Sequence, residues 1–242
     1  MPVLALDTSA AVAVALVDDD GGRLAARTSD ERRRHAESLA PLVAQVLDDA
    51  GLERTDLTAV VGGTGPAPFT GLRVGLVTAR TLALALDIEL LGVPSIDALA
   101  VQAVADLGLQ PGDEVLAASD ARRKEVYWSR YRVVAHEGPH GVPVVETLLG
   151  PDVGRAADVA ANHLGAAPDG GRLVVVGEGA ALYADHLPPD EDAPLLPDAT
   201  VLARLALARR AAGEDLPTEP LYLRRPDVQE PAGARRALGG AR

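Results

Sequence analysis

Short apolar runs and amphipathic stretches alternate along the first half of the chain. Three apolar runs predict strands, and the acidic, glycine-containing cluster at 18–22 predicts the turn between the second and the third. Apolar residues at helical spacing then predict two helices, with a further strand between them. The predicted order is β-β-β-α-β-α, with elements at 3–6, 11–17, 23–28, 39–47, 57–61 and 72–86.

The same order of elements recurs in the second half. After a strand at 88–93 and a helix at 95–107, the elements are predicted at 114–119, 125–134, 142–149, 152–164, 172–176, 180–186 and 198–212. Two such units predict an α/β protein of two ribonuclease H-like lobes, as in the actin-like (ASKHA) superfamily, with mixed sheets flanked by helices. We place the N-terminal lobe at 1–95, the C-terminal lobe at 96–225 and a flexible tail at 226–242.

Composition narrows the classes of function. The 242 residues include 23 basic and 35 acidic side chains, giving a net charge of −12, and no cysteine. Without cysteine the chain has no disulfide, thiolate zinc site or cysteine nucleophile. The negative charge argues against nonspecific nucleic-acid binding by the whole surface, because such binding needs many Lys and Arg side chains. With no targeting signal and no run of about 20 apolar residues, we expect a cytoplasmic protein that does not cross a membrane.

Polar residues that could bind a phosphate group follow the first predicted strand. Asp7, Thr8 and Ser9 lie where an open α/β sheet places its ligands, at the carboxyl end of a strand. A glycine-rich loop ahead of the helix at 72–86 could present backbone N–H groups to an anion. Its candidate residues are Gly65, Thr70 and Gly71. Alanine follows Ser9 where phosphate-binding turns usually have glycine, so a turn closed by local hydrogen bonds is at least as good an interpretation.

A second acidic residue, Asp120, ends the first strand of the second unit. Asp7 and Asp120 together would suit an actin-like, Mg-ATP-dependent small-molecule phosphotransferase, which is the alternative function. The sequence contains neither a G-x-S-x-G motif nor a Walker A motif. We predict no metal site, because the chain has Leu39 where a histidine paired with His35 on one helix face would be needed.

The helix at 72–86 is apolar on nearly all sides, which indicates a second buried face besides the one on its sheet. Gly71, Gly75, Ala79 and Ala83 form a row of small residues at i+4 spacing, which would let another helix approach closely. The same row could instead pack on the lobe's own sheet. We favour a protein interface.

Several segments, taken in order, resemble the bacterial TsaB (YeaZ) family. They are LALDTS at 4–9, GPAPFTGLRVG at 65–75, DARRKEVYW at 120–128 and PLYLR at 220–224, with His35 ahead of the first helix. Leu39 replaces the second histidine of the metal-binding pair of TsaD proteins, so the chain is similar to the partner of TsaD and not to the catalytic subunit. Ala67 and Pro68 stand where the family has Gly-Ser, and the proline removes an N–H donor from the loop.

The resemblance implies a noncatalytic subunit that binds and activates a TsaD-like transferase. With a TsaE-like ATPase, that transferase adds a threonylcarbamoyl group to N6 of adenosine 37 in tRNAs that read codons starting with A. The resemblance also implies homodimers when TsaD is absent, no catalytic residue, no cofactor of its own and only indirect contact with tRNA; a nucleotide at the partner boundary is left open. The implied partner surface lies on the two N-lobe helices, and its residues are Leu39, Leu42, Val46, Gly71, Leu72, Gly75, Leu76, Ala79 and Ala83.

Overall fold

The first lobe is a five-stranded mixed sheet with a helix pair on one face. The computed structural model describes residues 1–29, 35–165 and 170–224 of the chain. The elements of this lobe are β1 (Val3–Asp7), β2 (Val12–Val17), β3 (Arg23–Ser29), α1 (His35–Ala50), β4 (Ala59–Gly63), α2 (Phe69–Leu86) and β5 (Glu89–Val93). The sheet order is β3-β2-β1-β4-β5, with β1 antiparallel to β2 and parallel to β4. Both β1 and β2 are buried along their whole length, which explains why they read as continuous apolar runs.

The second lobe repeats this topology with four strands. Its elements are α3 (Ser95–Asp106), β6 (Glu114–Arg122), β7 (Glu125–Ala135), β8 (Val144–Arg155), α4 (Ala156–His163), β9 (Leu173–Val176), α5 (Glu178–Leu182) and α6 (Ala199–Ala211). The order is β8-β7-β6-β9, and β6 is antiparallel to β7 and parallel to β9. The prediction of two lobes with mixed sheets flanked by helices is thus confirmed.

Two predicted helix starts differ in outcome. Asp198, where the predicted helix at 198–212 begins, caps α6, because its carboxylate accepts a hydrogen bond of 2.6 Å from the backbone N–H of Thr200. The helix predicted at 152–164 has Asp152 as its candidate N-cap, because aspartate is a common capping residue, and that start is wrong. It lies inside β8, opposite Trp128 of β7, and the strand continues to Arg155 before the helix begins.

Helices α3 and α6 lie between the two sheets and carry much of the core. On one side, Leu202 and Ala206 of α6 pack with Val3 and Ala5 of β1. On the other, α3 contributes to a cluster with strands of the second sheet. Helix α6 therefore covers the first sheet although it falls within the predicted C-terminal lobe. The predicted tail at 226–242 lies outside the described residues.

A buried hydrogen-bonded triad joins three elements where the lobes meet. The hydroxyl of Tyr131 in β7 donates a 2.7 Å hydrogen bond to one carboxylate oxygen of Asp97 in α3. The guanidinium of Arg209 in α6 donates a 2.8 Å bond to the other oxygen. Burial, and then the Asp97 charge, raise the pKa of Tyr131 well above its ordinary value. The phenol is therefore held as a neutral donor at neutral pH.

Candidate functional site

The carboxylate of Asp7 is enclosed at the carboxyl end of β1, where only 2% of the residue is exposed. One oxygen accepts hydrogen bonds from the backbone N–H of Ser9, at 2.8 Å, and from the Ser9 hydroxyl, at 2.6 Å. The other oxygen accepts a short hydrogen bond from the hydroxyl of Ser95, at the start of α3. Such bonds to a charged acceptor are among the stronger ones in proteins, so they fix the carboxylate in place.

One glycine of the neighbouring strand makes room for this network, and a second, in the loop that follows, donates a hydrogen bond to it. A Cβ atom added at Gly63 would lie 1.9 Å from the nearer Asp7 oxygen and 2.8 Å from the Ser95 hydroxyl. The backbone N–H of Gly65 donates a 3.2 Å hydrogen bond to that same hydroxyl. Neither Ser95 nor Gly63 was singled out from the sequence. Their positions in the sequence could have indicated that they lie near Asp7, because both are at or just beyond the carboxyl ends of strands that run parallel to β1.

Thr8 fastens the start of α2 to β1. Its hydroxyl donates a 2.8 Å hydrogen bond to the carbonyl of Gly71 and accepts a 3.0 Å bond from the N–H of Gly75. A Cβ atom at Gly75 would lie only 2.5 Å from this hydroxyl oxygen, so the helix can approach only with glycine there.

The structure thus brings most of the predicted phosphate-loop residues together, but these residues form hydrogen bonds within the chain. Asp7, Thr8 and Ser9 use their side chains in internal hydrogen bonds, and Thr70 is exposed on the first turn of α2. A phosphate group or Mg²⁺ at this place would have to displace several of these bonds. The interpretation as a turn closed by local hydrogen bonds therefore describes the site better, and the phosphotransferase alternative is not favoured.

Asp120 lies near the end of β6 and is engaged by its own hairpin. Its carboxylate accepts a 2.8 Å hydrogen bond from the backbone N–H of Arg122 and forms a 2.9 Å ion pair with that residue's guanidinium. Burial, and then the Asp120 charge, raise the pKa of Tyr127 on the facing strand. Asp120 therefore stabilises the β6–β7 turn, as Asp7 stabilises the loops at the carboxyl end of β1.

That turn has an unusual backbone. Arg122, Arg123 and Lys124 have φ values of 64°, 57° and 66°, and all three side chains are exposed. The left-handed region costs a residue other than glycine roughly 1–2 kcal/mol, and two-residue hairpin turns of this shape favour Asn-Gly. The chain instead has three consecutive basic residues here.

Most residues of the predicted partner surface lie inside the first lobe. Leu42 and Gly71 are half-buried, and the other seven are buried: Leu39, Val46, Leu72, Gly75, Leu76, Ala79 and Ala83. The row of small residues on α2 lets this helix lie close to its own sheet, where Gly62 faces Leu76 and Ala79. The row is thus occupied by packing within the lobe and does not offer a surface to another helix.

The outward face of α2 carries apolar and basic residues at helical spacing. Leu84 is 85% exposed, Val77 60% and Phe69 41%. Arg73 and Arg80 lie between them on the same face, and α2 contains no acidic residue. The spacing 69, 73, 77, 80 and 84 was visible in the sequence.

A groove separates the outer sides of α1 and α2. Its volume is about 660 Å³, and its lining includes exposed Ala40 and Ala44 of α1, half-buried Thr78 and Leu82 of α2, and the short turn at Arg54–Asp56. The groove adjoins the outward face of α2, because Thr78 directly follows Val77 and Leu82 lies two residues before Leu84. We refer to this groove together with the outward face of α2 as the outer helix face.

The segment after α6 runs along the same side of the lobe. Its backbone bonds to β5 and to the loop after β4, since the N–H of Gly92 donates to Leu216 and that of Leu221 donates to Thr64. The ring of Tyr222 packs 5.1 Å from that of Phe69, and the Arg73 guanidinium stacks 3.8 Å over Phe69 while donating a 2.9 Å hydrogen bond to the Tyr222 hydroxyl. The segment therefore adds an aromatic residue to the outer helix face.

Two general features bear on metals and membranes. Among the residues that the structure describes, no group of three or more His, Asp or Glu side chains could hold a metal ion. Helix α2, with mean hydropathy 1.3 over 18 residues, has the length and composition of a membrane span. Its inward face is packed on the sheet of the first lobe, as the core helix of a folded lobe would be.

Fold and site together define a two-lobed protein of the actin-like class whose strand-end carboxylates bond within the chain. Residues 26–187 match the sequence profile of TsaD, tRNA N6-adenosine threonylcarbamoyltransferase. A protein of Escherichia coli, the tRNA threonylcarbamoyladenosine biosynthesis protein TsaB, is 32% identical over 93% of this chain and 95% of its own length. An uncharacterised protein of Mycobacterium tuberculosis is 41% identical over 94% and 93%. The structure of YeaZ from Pseudomonas aeruginosa superposes with a TM-score of 0.74 at 32% identity, covering 92% of this chain and 99% of that one. The chain belongs to the TsaB (YeaZ) family.

Proposed function

We propose that this protein is a noncatalytic subunit of tRNA threonylcarbamoyladenosine biosynthesis that binds and activates a TsaD-like transferase. Membership of the TsaB family supports the process. The internal hydrogen bonds of Asp7 and Asp120 support the absence of catalysis, because a carboxylate held by its own chain is poorly placed to bind metal or phosphate.

The outer helix face is the observation that carries the proposal. Single exposed apolar side chains are common on protein surfaces, but here Phe69, Val77 and Leu84 follow one helix beside a groove of about 660 Å³. A helix of the partner could lie in this groove, with apolar contacts along α2. TsaD-type chains are the occupant that the family relationship favours.

Arg73, Phe69 and Tyr222 give this face the composition of a binding hot spot. Tyrosine and arginine are enriched at such positions because they bury a large area and keep a polar group for orientation. The stacking of Arg73 on the Phe69 ring and its hydrogen bond to the Tyr222 hydroxyl also hold its guanidinium in place before any partner arrives. Because α2 has Arg73 and Arg80 on its outward face and no acidic residue, a partner with carboxylates facing α2 would be complementary there, whereas the far side of the groove carries Asp48 and Glu53.

The remaining parts of the proposal follow from the same family. The complex includes a TsaE-like ATPase, and the outer helix face forms homodimers when the TsaD-like subunit is absent. We place the protein in the cytoplasm, where tRNA is modified. Any nucleotide would bind at the boundary with the partner and not at Asp7.

Charge insertion on the outer helix face tests the proposal. Ala44→Glu places a negative charge at an exposed position of the groove, so it should leave the fold intact and weaken binding of the TsaD-like subunit about tenfold or more. Ala161→Glu, at an exposed position of α4 in the other lobe, is the matched control and should bind normally. Isothermal titration calorimetry measures both. Equal affinity for the two variants would overturn the assignment of the surface.

Calorimetry with Mg·ATP tests the noncatalytic part. The isolated protein should show no binding that depends on Asp7. Micromolar binding by the wild type that is lost in Asp7→Ala would instead support a phosphotransferase.

A further inference from the structure

Both arginines of α2 are hydrogen-bonded to the C-terminal segment, residues 214–224. The Nε atom of Arg73 donates a 2.9 Å hydrogen bond to the hydroxyl of Tyr222, and its guanidinium lies 3.8 Å over the ring of Phe69. Further along the helix, the Nη2 atom of Arg80 donates to the carbonyl oxygen of Thr218 at 3.0 Å and to its hydroxyl at 3.3 Å. The segment therefore fixes the direction of both guanidinium groups.

The C-terminal segment is itself fastened to the first lobe by contacts that do not involve α2. The N–H of Gly92 in β5 donates a 3.1 Å hydrogen bond to the carbonyl of Leu216, and the N–H of Leu221 donates a 2.9 Å bond to the carbonyl of Thr64. A Cβ atom added at Gly92 would lie 2.0 Å from the carbonyl oxygen of Pro217, so the segment lies directly against the strand. The atoms that accept from the two arginines are thus held in place independently of them.

Neither arginine is paired with a carboxylate of the described residues. The nearest candidate in sequence is Glu219, which directly follows Thr218, but it forms no ion pair with Arg80; Glu214 pairs with Arg209 instead. In the hydrogen bonds among described residues, Arg73 donates only through Nε and Arg80 only through Nη2. Both side chains are exposed, so their remaining N–H groups are available to a ligand.

The spacing of the two arginines matches that of residues on another helix. Seven residues are two helical turns, which place Arg73 and Arg80 on one face about 10.5 Å apart along the axis of α2. Acidic residues seven apart on a helix lying along α2 would have the same separation. A guanidinium binds a carboxylate through two parallel N–H···O bonds, and an arginine that is already held loses less side-chain freedom on binding.

We propose that Arg73 and Arg80, held by the C-terminal segment, bind two carboxylates spaced seven residues apart on a helix of the partner. The inference rests on the proposed function, because the partner is the TsaD-like subunit. The Tyr222 hydroxyl and Thr218 act through the arginines, so they are positioning groups for the contact. The two ion pairs fix the register of the partner helix along α2, while Val77 between the arginines supplies an apolar contact.

Removal of the two charges, singly and together, tests the contact. Arg73→Gln and Arg80→Gln should each weaken binding of the TsaD-like subunit roughly fivefold, and the double variant by about the product of the two effects, because sites this far apart act independently. The affinity of the wild type should fall as salt is raised, and that of the double variant should fall less steeply. Arg155→Gln/Arg172→Gln, which removes two exposed arginines of the second lobe, is the charge-matched control and should bind normally. Isothermal titration calorimetry at several salt concentrations measures all four variants.

Tyr222→Phe tests the positioning separately from the charge. The variant keeps the ring beside Phe69 and every charge, but removes the hydroxyl that accepts from Arg73. It should bind the TsaD-like subunit about threefold more weakly than the wild type, with the same dependence on salt, and it should have no further effect in an Arg73→Gln background. Tyr183→Phe, at the end of α5 in the second lobe, is the matched control and should bind normally.

Four outcomes would overturn the inference. They are normal affinity in the double arginine variant, a loss in that variant no larger than in either single one, an equal loss in Arg155→Gln/Arg172→Gln, and a Tyr222→Phe effect that persists without Arg73. Ala44→Glu, titrated beside these variants, reports on the proposed function. Weaker binding of Ala44→Glu with normal binding of the arginine variants would overturn this inference alone, whereas failure of the wild type to bind would overturn both.

Discussion

Replacing Gly63 by alanine should disrupt the network around Asp7. The new Cβ atom would lie 1.9 Å from a carboxylate oxygen of Asp7 and 2.8 Å from the Ser95 hydroxyl, so the carboxylate must move. Moving it breaks the hydrogen bond from Ser95 and strains those from Ser9. Hydrogen bonds to charged groups contribute about 1.5–3 kcal/mol each. Loss of one or two should therefore lower the free energy of unfolding by about 2–5 kcal/mol, or the melting temperature by roughly 5–15 °C.

The adjacent glycine provides a matched control. In Gly62→Ala the Cβ atom would meet the end of the Leu76 side chain at 3.1 Å, and that side chain can adjust, so we expect a loss below about 1 kcal/mol. Urea denaturation of the two variants, each also in an Asp7→Ala background, forms a double-mutant cycle. The cost of Gly63→Ala should fall by at least about 1.5 kcal/mol when Asp7 is absent. Equal costs at the two glycines, or strict additivity with Asp7→Ala, would refute this reasoning.

Two further predictions concern the junction of the lobes and the C-terminal segment. Tyr131→Phe should cost about 1–3 kcal/mol at neutral pH, because Asp97 loses a hydrogen-bond donor. The folded-state pKa of Tyr131 is raised, so its contribution is full below pH 10 and is lost as the pH rises through the titration of the unfolded phenol towards that of the folded one. Urea denaturation between pH 7 and about 11 should show this fall in the wild type and a smaller one in Tyr131→Phe; identical alkaline slopes would count against it. Gly92→Ala would place a Cβ atom 2.0 Å from the carbonyl oxygen of Pro217 and should displace the segment at 214–224, giving faster limited proteolysis there than in the control Gly165→Ala, whose Cβ would meet open space. Unchanged cleavage in Gly92→Ala would mean that the segment is held by other contacts.

The repeated topology could be predicted from the sequence because the buried strands are short apolar runs ended by polar residues. Val3 to Leu6 and Glu114 to Ser119 both have this form, and each begins an antiparallel unit of the sheet. The end of β8 could not be predicted in the same way. Asp152 looks like a helix cap in sequence, but pairing with β7 extends the strand past it, and such pairing depends on residues distant in the chain.

The residues of the candidate site could be predicted from the sequence, but the hydrogen bonds that their side chains make could not. The cluster of Asp7, Thr8 and Ser9 was recognised, but its closure depends on Ser95, which is 88 positions away and reaches Asp7 only because β5 lies next to β4. The row of small residues on α2 was read as an interface, although periodicity alone does not say which neighbour fills it. In the structure, these small residues pack against the sheet of the first lobe.

Hydrogen–deuterium exchange of this protein on mixing with its TsaD-like subunit tests the central proposal most directly. If the outer helix face is the docking surface, amide exchange should slow at 40–55 and at 69–84, with little change in α4. Protection confined to the second lobe, or the absence of any complex at micromolar concentrations, would contradict the account.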